Sequence, residues 1–139
     1  MRVLEIALDR ACATGAEYAD VRALHQTEER LSVRNGVVER ATSGVSHGIG
    51  VRALVDGAWG FAASCVVSES EAARVAAEAV EIARASAMAK KCGVLLAPLD
   101  PVVVEWESPC AIDPWSVPRA QKIDLLREAC SRAMSGGSD

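Results

Sequence analysis

Asp56-Gly57, set between the apolar runs on either side of it, constrains the folding of this chain more than any other pair of residues. A two-residue type I′ turn needs positive φ at both central positions, which Asp tolerates and Gly adopts freely. Closing the turn there sets Val55 opposite Ala58, Leu54 opposite Trp59, Ala53 opposite Gly60 and Arg52 opposite Phe61. Side chains alternate along a strand, so one face then carries Ile49, Val51, Ala53 and Val55 beside Ala58, Gly60 and Ala62. The other face carries Arg52, Leu54, Trp59 and Phe61. The small-residue lane suits close packing by a helix, and the Arg and aromatic face suits contact with something else.

The segments around this hairpin have their own signals. Val3, Leu4, Ala7, Leu8 and Ala11 fall on one helical face, with Gly15 as the C-cap. Tyr18 to Gln26 reads as a strand, with Val21 and Leu24 among polar neighbours. Leu31 and Val33 lead into Asn35-Gly36, a second turn signal, and Val37–Arg40 follows as a strand whose register the sequence leaves open, since a bulge can shift it. Ser43-Gly44 is expected to break the chain before a strand from His47 to Val55, and the return strand runs from Ala58 to Val66. Ser68-Glu69-Ser70-Glu71 has the S-x-x-E form of a capping box. The Ala-rich helix behind it, reaching Met88, has Val75, Ala79, Ile82 and Ala83 as its apolar stripe.

After Lys91 the character changes. Four of the five prolines (98, 101, 109 and 114) lie in a connector spanning 92–117 and the fifth, Pro118, follows it directly, with one short strand expected at Val102–Trp106. A last helix is expected from Ser116 or Val117, with Pro118 in its first turn and Ile123, Leu126, Ala129 or Cys130, and Ala133 buried. The terminal Ser-Gly-Gly-Ser-Asp reads as flexible. The layout is α+β: an antiparallel sheet of about four to five strands packed by helices in two layers. The expected division is an α+β domain over 1–91, the connector over 92–117, and a helix with the start of a following segment over 118–139.

Half of the 139 residues are hydrophobic but only 4% are aromatic, so the core must come from tight helix–sheet contacts rather than large rings. The net charge of −4 and the absence of any Lys/Arg cluster longer than Lys90-Lys91 argue against nucleic-acid binding, which needs a basic stripe. The N-terminus has no apolar signal-peptide core, and no run approaches the roughly 18 apolar residues of a membrane span. Five scattered cysteines without ligand spacing read as reduced thiols of a cytoplasmic protein, packing mostly as small hydrophobes.

A self-contained active site should show converging nucleophiles, bases or ligands, and here the search finds none. His25 and His47 form no H-E-x-x-H pairing. Ser43 and Ser64 lack a nucleophile elbow, and Gly48-Ile49-Gly50 lacks the third glycine and the Lys of a phosphate loop. No catalytic and no metal-binding residue is assigned. Arg52, Trp59 and Phe61 are the candidate contact residues, for a peptide or a partner. Two readings of them stay open: a structural cation–π stack, or a surface for a peptide or a second subunit.

Six landmarks occur in order: Gly15-Ala16-Glu17-Tyr18-Ala19-Asp20-Val21-Arg22; Asn35-Gly36 with Val38-Glu39; Gly48-Ile49-Gly50-Val51-Arg52; Asp56-Gly57-Ala58-Trp59-Gly60-Phe61-Ala62; the Ala-rich helix; and Asp113-Pro114-Trp115-Ser116-Val117-Pro118 with Lys122-Ile123 and Leu125-Leu126. Together they resemble the N-terminal domain of the TldD/PmbA family, once described as modulators of DNA gyrase, and the wording leans toward its TldD branch. The resemblance implies a cytoplasmic, zinc-dependent metallopeptidase system that pairs a TldD with a TldE (PmbA) subunit and cuts unfolded or small peptides. The family's metal ligands, an H-E-x-x-x-H motif and a later Cys, match nothing in this chain, so zinc is implied for the full-length protein and not for these residues. What the resemblance implies here is a non-catalytic domain that walls the peptide channel and the subunit interface. Its partners would be the remainder of a TldD-type chain or a TldE-like subunit, with peptide as substrate and neither nucleic acid nor membrane. The alternative is a stand-alone protein-interaction module without enzymatic activity.

Overall fold

A computed structural model describes residues 2–136. The elements run α1 (Arg2–Ala13), β1 (Tyr18–Arg34), β2 (Val37–Val55), β3 (Ala58–Ser64), α2 (Glu69–Ala89) and α3 (Arg119–Ser135). The strands form one antiparallel sheet in the order β1-β2-β3. The chain divides into two compact units, 1–26 with 45–99 and 27–44 with 100–139, and the long strands β1 and β2 contribute residues to both.

In the first unit the α+β arrangement is as expected, and the β2–β3 hairpin has the register that Asp56-Gly57 dictates. Val55 pairs with Ala58, Leu54 with Trp59, Ala53 with Gly60 and Arg52 with Phe61. Both turn residues take positive φ, 47° at Asp56 and 67° at Gly57, as a type I′ turn requires. The turn is secured from outside itself. The Glu17 carboxylate accepts the Asp56 N–H at 2.8 Å, and Gly57 C=O accepts the Val94 N–H at 2.8 Å.

One face of this hairpin is buried under helices. Ile49, Val51, Ala53, Val55 and Ala62 form a single core with Ala7 and Ala11 of α1 and with Ala72, Val75, Ala76, Ala79, Val80 and Ala83 of α2. Helix α2 lies so close to β3 that a Cβ on Gly60 would fall on the Ala79 carbonyl oxygen and the Ala83 nitrogen, and within 2.9 Å of Ala83 Cα. The core is therefore made of backbone proximity and small side chains. That explains how a chain with so few rings closes one.

The ends of the helices follow local chemistry. Helix α1 stops in a Schellman motif: Ala16 N–H bonds Ala11 C=O and Gly15 N–H bonds Cys12 C=O, both at 3.0 Å. Ser68 caps α2, its hydroxyl accepting the Glu71 N–H at 3.3 Å, an arrangement worth about 1 kcal/mol. Glu71 itself turns to Arg74, which donates to both of its oxygens at 2.7 and 3.0 Å. Those bonds, with one from Ser64, hold the Glu71 carboxyl down at about 2. Ile82, expected on the buried stripe, is partly exposed, while Ala72, Ala76 and Val80 are buried in its stead.

The sheet has three strands rather than four to five. Strand β1 runs on past its expected end at Gln26, and the expected break at Ser43-Gly44 does not occur, because Gly44 keeps extended backbone and β2 continues through it. The two-residue turn at Asn35-Gly36 forms, and Ser32 donates to Glu39 at 3.3 Å, the partner that such a turn places opposite it. The short strand expected at Val102–Trp106 is absent: the segment is irregular and each of its apolar side chains is exposed, with no strand beside it to supply a ladder. Part of the terminal Ser-Gly-Gly-Ser-Asp lies outside the described residues.

The second unit is held differently. Helix α3 begins at Arg119 behind an Asp113 turn, in which Asp113 accepts the Trp115 N–H at 2.9 Å and the Ser116 N–H at 3.1 Å. The helix lies on the distal part of the β1–β2 ribbon through ion pairs. Arg119 and Lys122 both reach the Glu29 carboxylate, at 2.8 and 2.5 Å, and keep Glu29 below the ordinary carboxylate range, the Lys122 bond acting most strongly. Ile123, Leu126 and Cys130 are half-buried; Ala129 and Ala133, considered for the buried face, are exposed, and no residue of α3 is fully buried.

Two outcomes are expected. Gly60→Ala should destabilise the fold by at least about 2 kcal/mol in urea unfolding, because helix backbone cannot move aside as a flexible side chain would. Glu71, depressed in the folded state to about 2 from 4.5, stabilises fully above its unfolded value and loses that contribution as pH falls from 4.5 through 2. Glu71→Gln should flatten the loss of thermal stability across that window.

Candidate functional site

The outer face of the first unit is built from alternate residues of three strands. On β2 and β3 these are Gly50, Arg52, Leu54, Trp59 and Phe61, as the hairpin register requires. On β1 they are Tyr18, Asp20 and Arg22, because Ala19 and Val21 pack against the core on the other side. The hairpin half of this face is what the sequence led one to expect. The β1 half was missed, although the alternation Tyr18/Asp20/Arg22 against Ala19/Val21 is the signal that reveals it.

Arg52 is the centre of the cluster. Its guanidinium carbon sits 4.5 Å from the Trp59 ring centroid, a cation–π stack. Its Nε and Nη2 donate to Asp20 Oδ2 at 2.7 and 2.5 Å. Tyr18 meets the far side of the arrangement edge-on, with ring centroids 5.9 Å apart and planes at 83° to Trp59. Leu54 is buried beneath these groups. The Phe61 ring lies against Gly50, where a Cβ would come within 3.1 Å of it, and yet Phe61 is 61% exposed. The structure thus brings Arg52 and Trp59 together in a fixed stack and leaves Phe61 open beside them.

The remaining titratable groups do not converge. His25 and His47 are both exposed. Cys12, Cys65, Cys92 and Cys110 are exposed and Cys130 is half-buried, so four of the five thiols do not pack as small hydrophobes as expected. Small apolar core positions are taken by Ala, which leaves the thiols to the surface. Among the described residues no three His, Cys, Asp or Glu side chains come together as a metal site would need. The donor set of the described residues does not fit a catalytic zinc ion. No described helix is long and apolar enough to cross a membrane.

A helix-backed antiparallel sheet with a stacked Arg and aromatic outer face defines a domain of α+β type. Residues 19–83 match the family model described as PmbA/TldA metallopeptidase domain 1. The chain is also similar to the metalloprotease MJ0996 of Methanocaldococcus jannaschii, with 26% identity over 110 residues, 79% of this chain and 24% of the relative. Residues 19–83 are thus similar to the first domain of PmbA/TldA metallopeptidases, and the chain spans about a quarter of the length of the curated relative it matches.

The stack should register as an energetic coupling. In a double-mutant cycle, Arg52→Ala and Trp59→Ala are each expected to lower stability, with a coupling of about 0.5–1 kcal/mol by urea unfolding.

Proposed function

We propose that this chain acts as the non-catalytic N-terminal domain of a cytoplasmic, TldD-like zinc metallopeptidase that degrades unfolded or small peptides. Its sheet face walls the peptide path and the subunit interface, and the ions and bases that break the bond belong to other polypeptide. The observation that carries this reading is the stack of Arg52 on Trp59 with Phe61 open beside it, on the sheet face opposite α1 and α2. Metal-assisted hydrolysis needs a bound ion to polarise the carbonyl, and among the described residues no His, Cys, Asp or Glu cluster is placed to hold one.

The second unit supports the same reading from its own surface. None of its described residues belongs to the buried core, while Val102, Val103, Val104, Trp106, Ile112 and Leu125 are exposed. Apolar surface of that extent marks a contact with further protein. The remainder of a TldD-type chain, or a TldE/PmbA-like subunit, is the partner that fits.

The isolated chain is expected to show no metal-dependent hydrolysis of an unfolded peptide and no change in melting temperature on adding zinc or a chelator. Grafted as the N-terminal domain onto a full-length TldD-type enzyme, the Phe61→Ala variant should keep the fold and raise KM for peptide or weaken subunit association. Zinc-dependent cleavage by the 139-residue chain alone would overturn the proposal.

A further inference from the structure

Beside the Arg52 stack, Asp20, Arg22, Gly50, Arg52 and Phe61 line a shallow depression of about 170 Å³. All five sit on adjacent strands of the first unit, so its walls are sheet backbone rather than loop. We infer that this depression is a subsite for the C-terminal carboxylate of a peptide, with Arg22 and Arg52 as its receptors and Phe61 as the wall for the last side chain. The inference deepens the reading of this face as a peptide wall and rests on it.

The charge argues for a single negative group. Two guanidiniums stand against one carboxylate, which leaves one net positive charge in the depression. A phosphate dianion would sit against Asp20 as well as the arginines, whereas a carboxylate matches the surplus. Arg52 is oriented before any ligand arrives: stacking on Trp59 fixes the plane of its guanidinium, and Asp20 occupies Nε and one side of Nη2. Its Nη1 hydrogens remain available for a second acceptor. Among the described residues no carboxylate pairs with Arg22, whose five donors lie on the same face two residues beyond Asp20. A planar donor fork held in place in this way binds carboxylate with little loss of side-chain entropy.

The apolar wall argues for a chain end. In a terminal residue the carboxylate and the side chain diverge from one Cα, so a charged subsite and an apolar one must adjoin. Phe61, exposed and directly opposite Arg52 in the ladder, provides that neighbour. Gly50 keeps the floor between them low, since the Phe61 ring already rests where a side chain would stand.

The test uses the 139-residue chain and a fluorescein-labelled, Trp-free peptide ending in Leu, made as the free acid and as the C-terminal amide. Binding is read by fluorescence anisotropy at low and high salt. The free acid should bind at least about tenfold tighter than the amide at low salt, and Arg22→Gln should erase the difference with far-UV CD and melting unchanged. N-acetyl-leucine should displace the acid peptide, and N-acetyl-leucine amide should not, a comparison that needs no variant. If acid and amide bind alike, the carboxylate subsite is refuted while the peptide-wall reading stands. An amidated peptide with an internal Glu that binds as well as the free acid would also refute the assignment to a chain end. Failure of every peptide to bind would overturn the peptide-wall reading itself.

Discussion

The contact between the backbone of α2 and the small-residue lane of the hairpin governs the rest of the first unit. Gly60 admits the Ala79–Ala83 turn of the helix at a distance where no side chain fits, and Ala53, Ala58 and Ala62 keep the ground around it low. Close approach multiplies weak dispersion contacts, which is how a core of Ala, Val and Ile substitutes for one built on rings. It also settles which face of the sheet is spent on folding. The opposite face is left free to carry Arg52, Trp59 and Phe61, groups that a buried face would have to neutralise or exclude.

That division explains why the hairpin was readable in the sequence and much else was not. Asp56-Gly57 specifies the turn chemically, and a period of two then assigns every side chain from Ile49 to Ala62 to a face. The Ser68 cap and the Ala-rich stretch after it are equally local, and α2 follows them. The long ribbon of β1 and β2 is a different matter. Around Thr27–Arg30 and Ser43-Gly44 neither face joins the hydrophobic core, so no hydrophobic alternation marks the strands, and the backbone ladder is joined only by polar contacts such as those of Glu29. Polar residues and a glycine look like breaks when the chain is read alone. In the paired ribbon they are merely exposed positions.

The Val102–Trp106 segment fails in the opposite direction. Its β-branched residues have the composition of a strand, but composition cannot supply a neighbour, and β-propensity expresses packing against one. The cysteines mislead for a related reason. Free thiols favour burial in general, yet this core admits only what fits beneath a helix at close range, and alanine fills those positions. On the outer face, Tyr18, Asp20 and Arg22 are not marked by the apolar pattern of β1, which falls on Ala19 and Val21. The alternate positions become meaningful only once Arg52 shows where β1 lies, through its bond to Asp20.

Orienting an extended substrate and polarising its carbonyl make different chemical demands. A hydrolytic metal centre needs ligands converging within a few ångströms, in a setting where their protonation is controlled. A surface that orients an extended substrate needs fixed donors and apolar walls spread along a sheet. Arg52, stacked on Trp59 and tied to Asp20, is a donor of the second kind, fixed in direction and still exposed on one side. Nearby ligands for a strongly charged ion would compete with such a group for the same carboxylates. The first unit, with no convergent ligand set among its described residues, carries instead a guanidinium held in a fixed direction by its stack and its carboxylate.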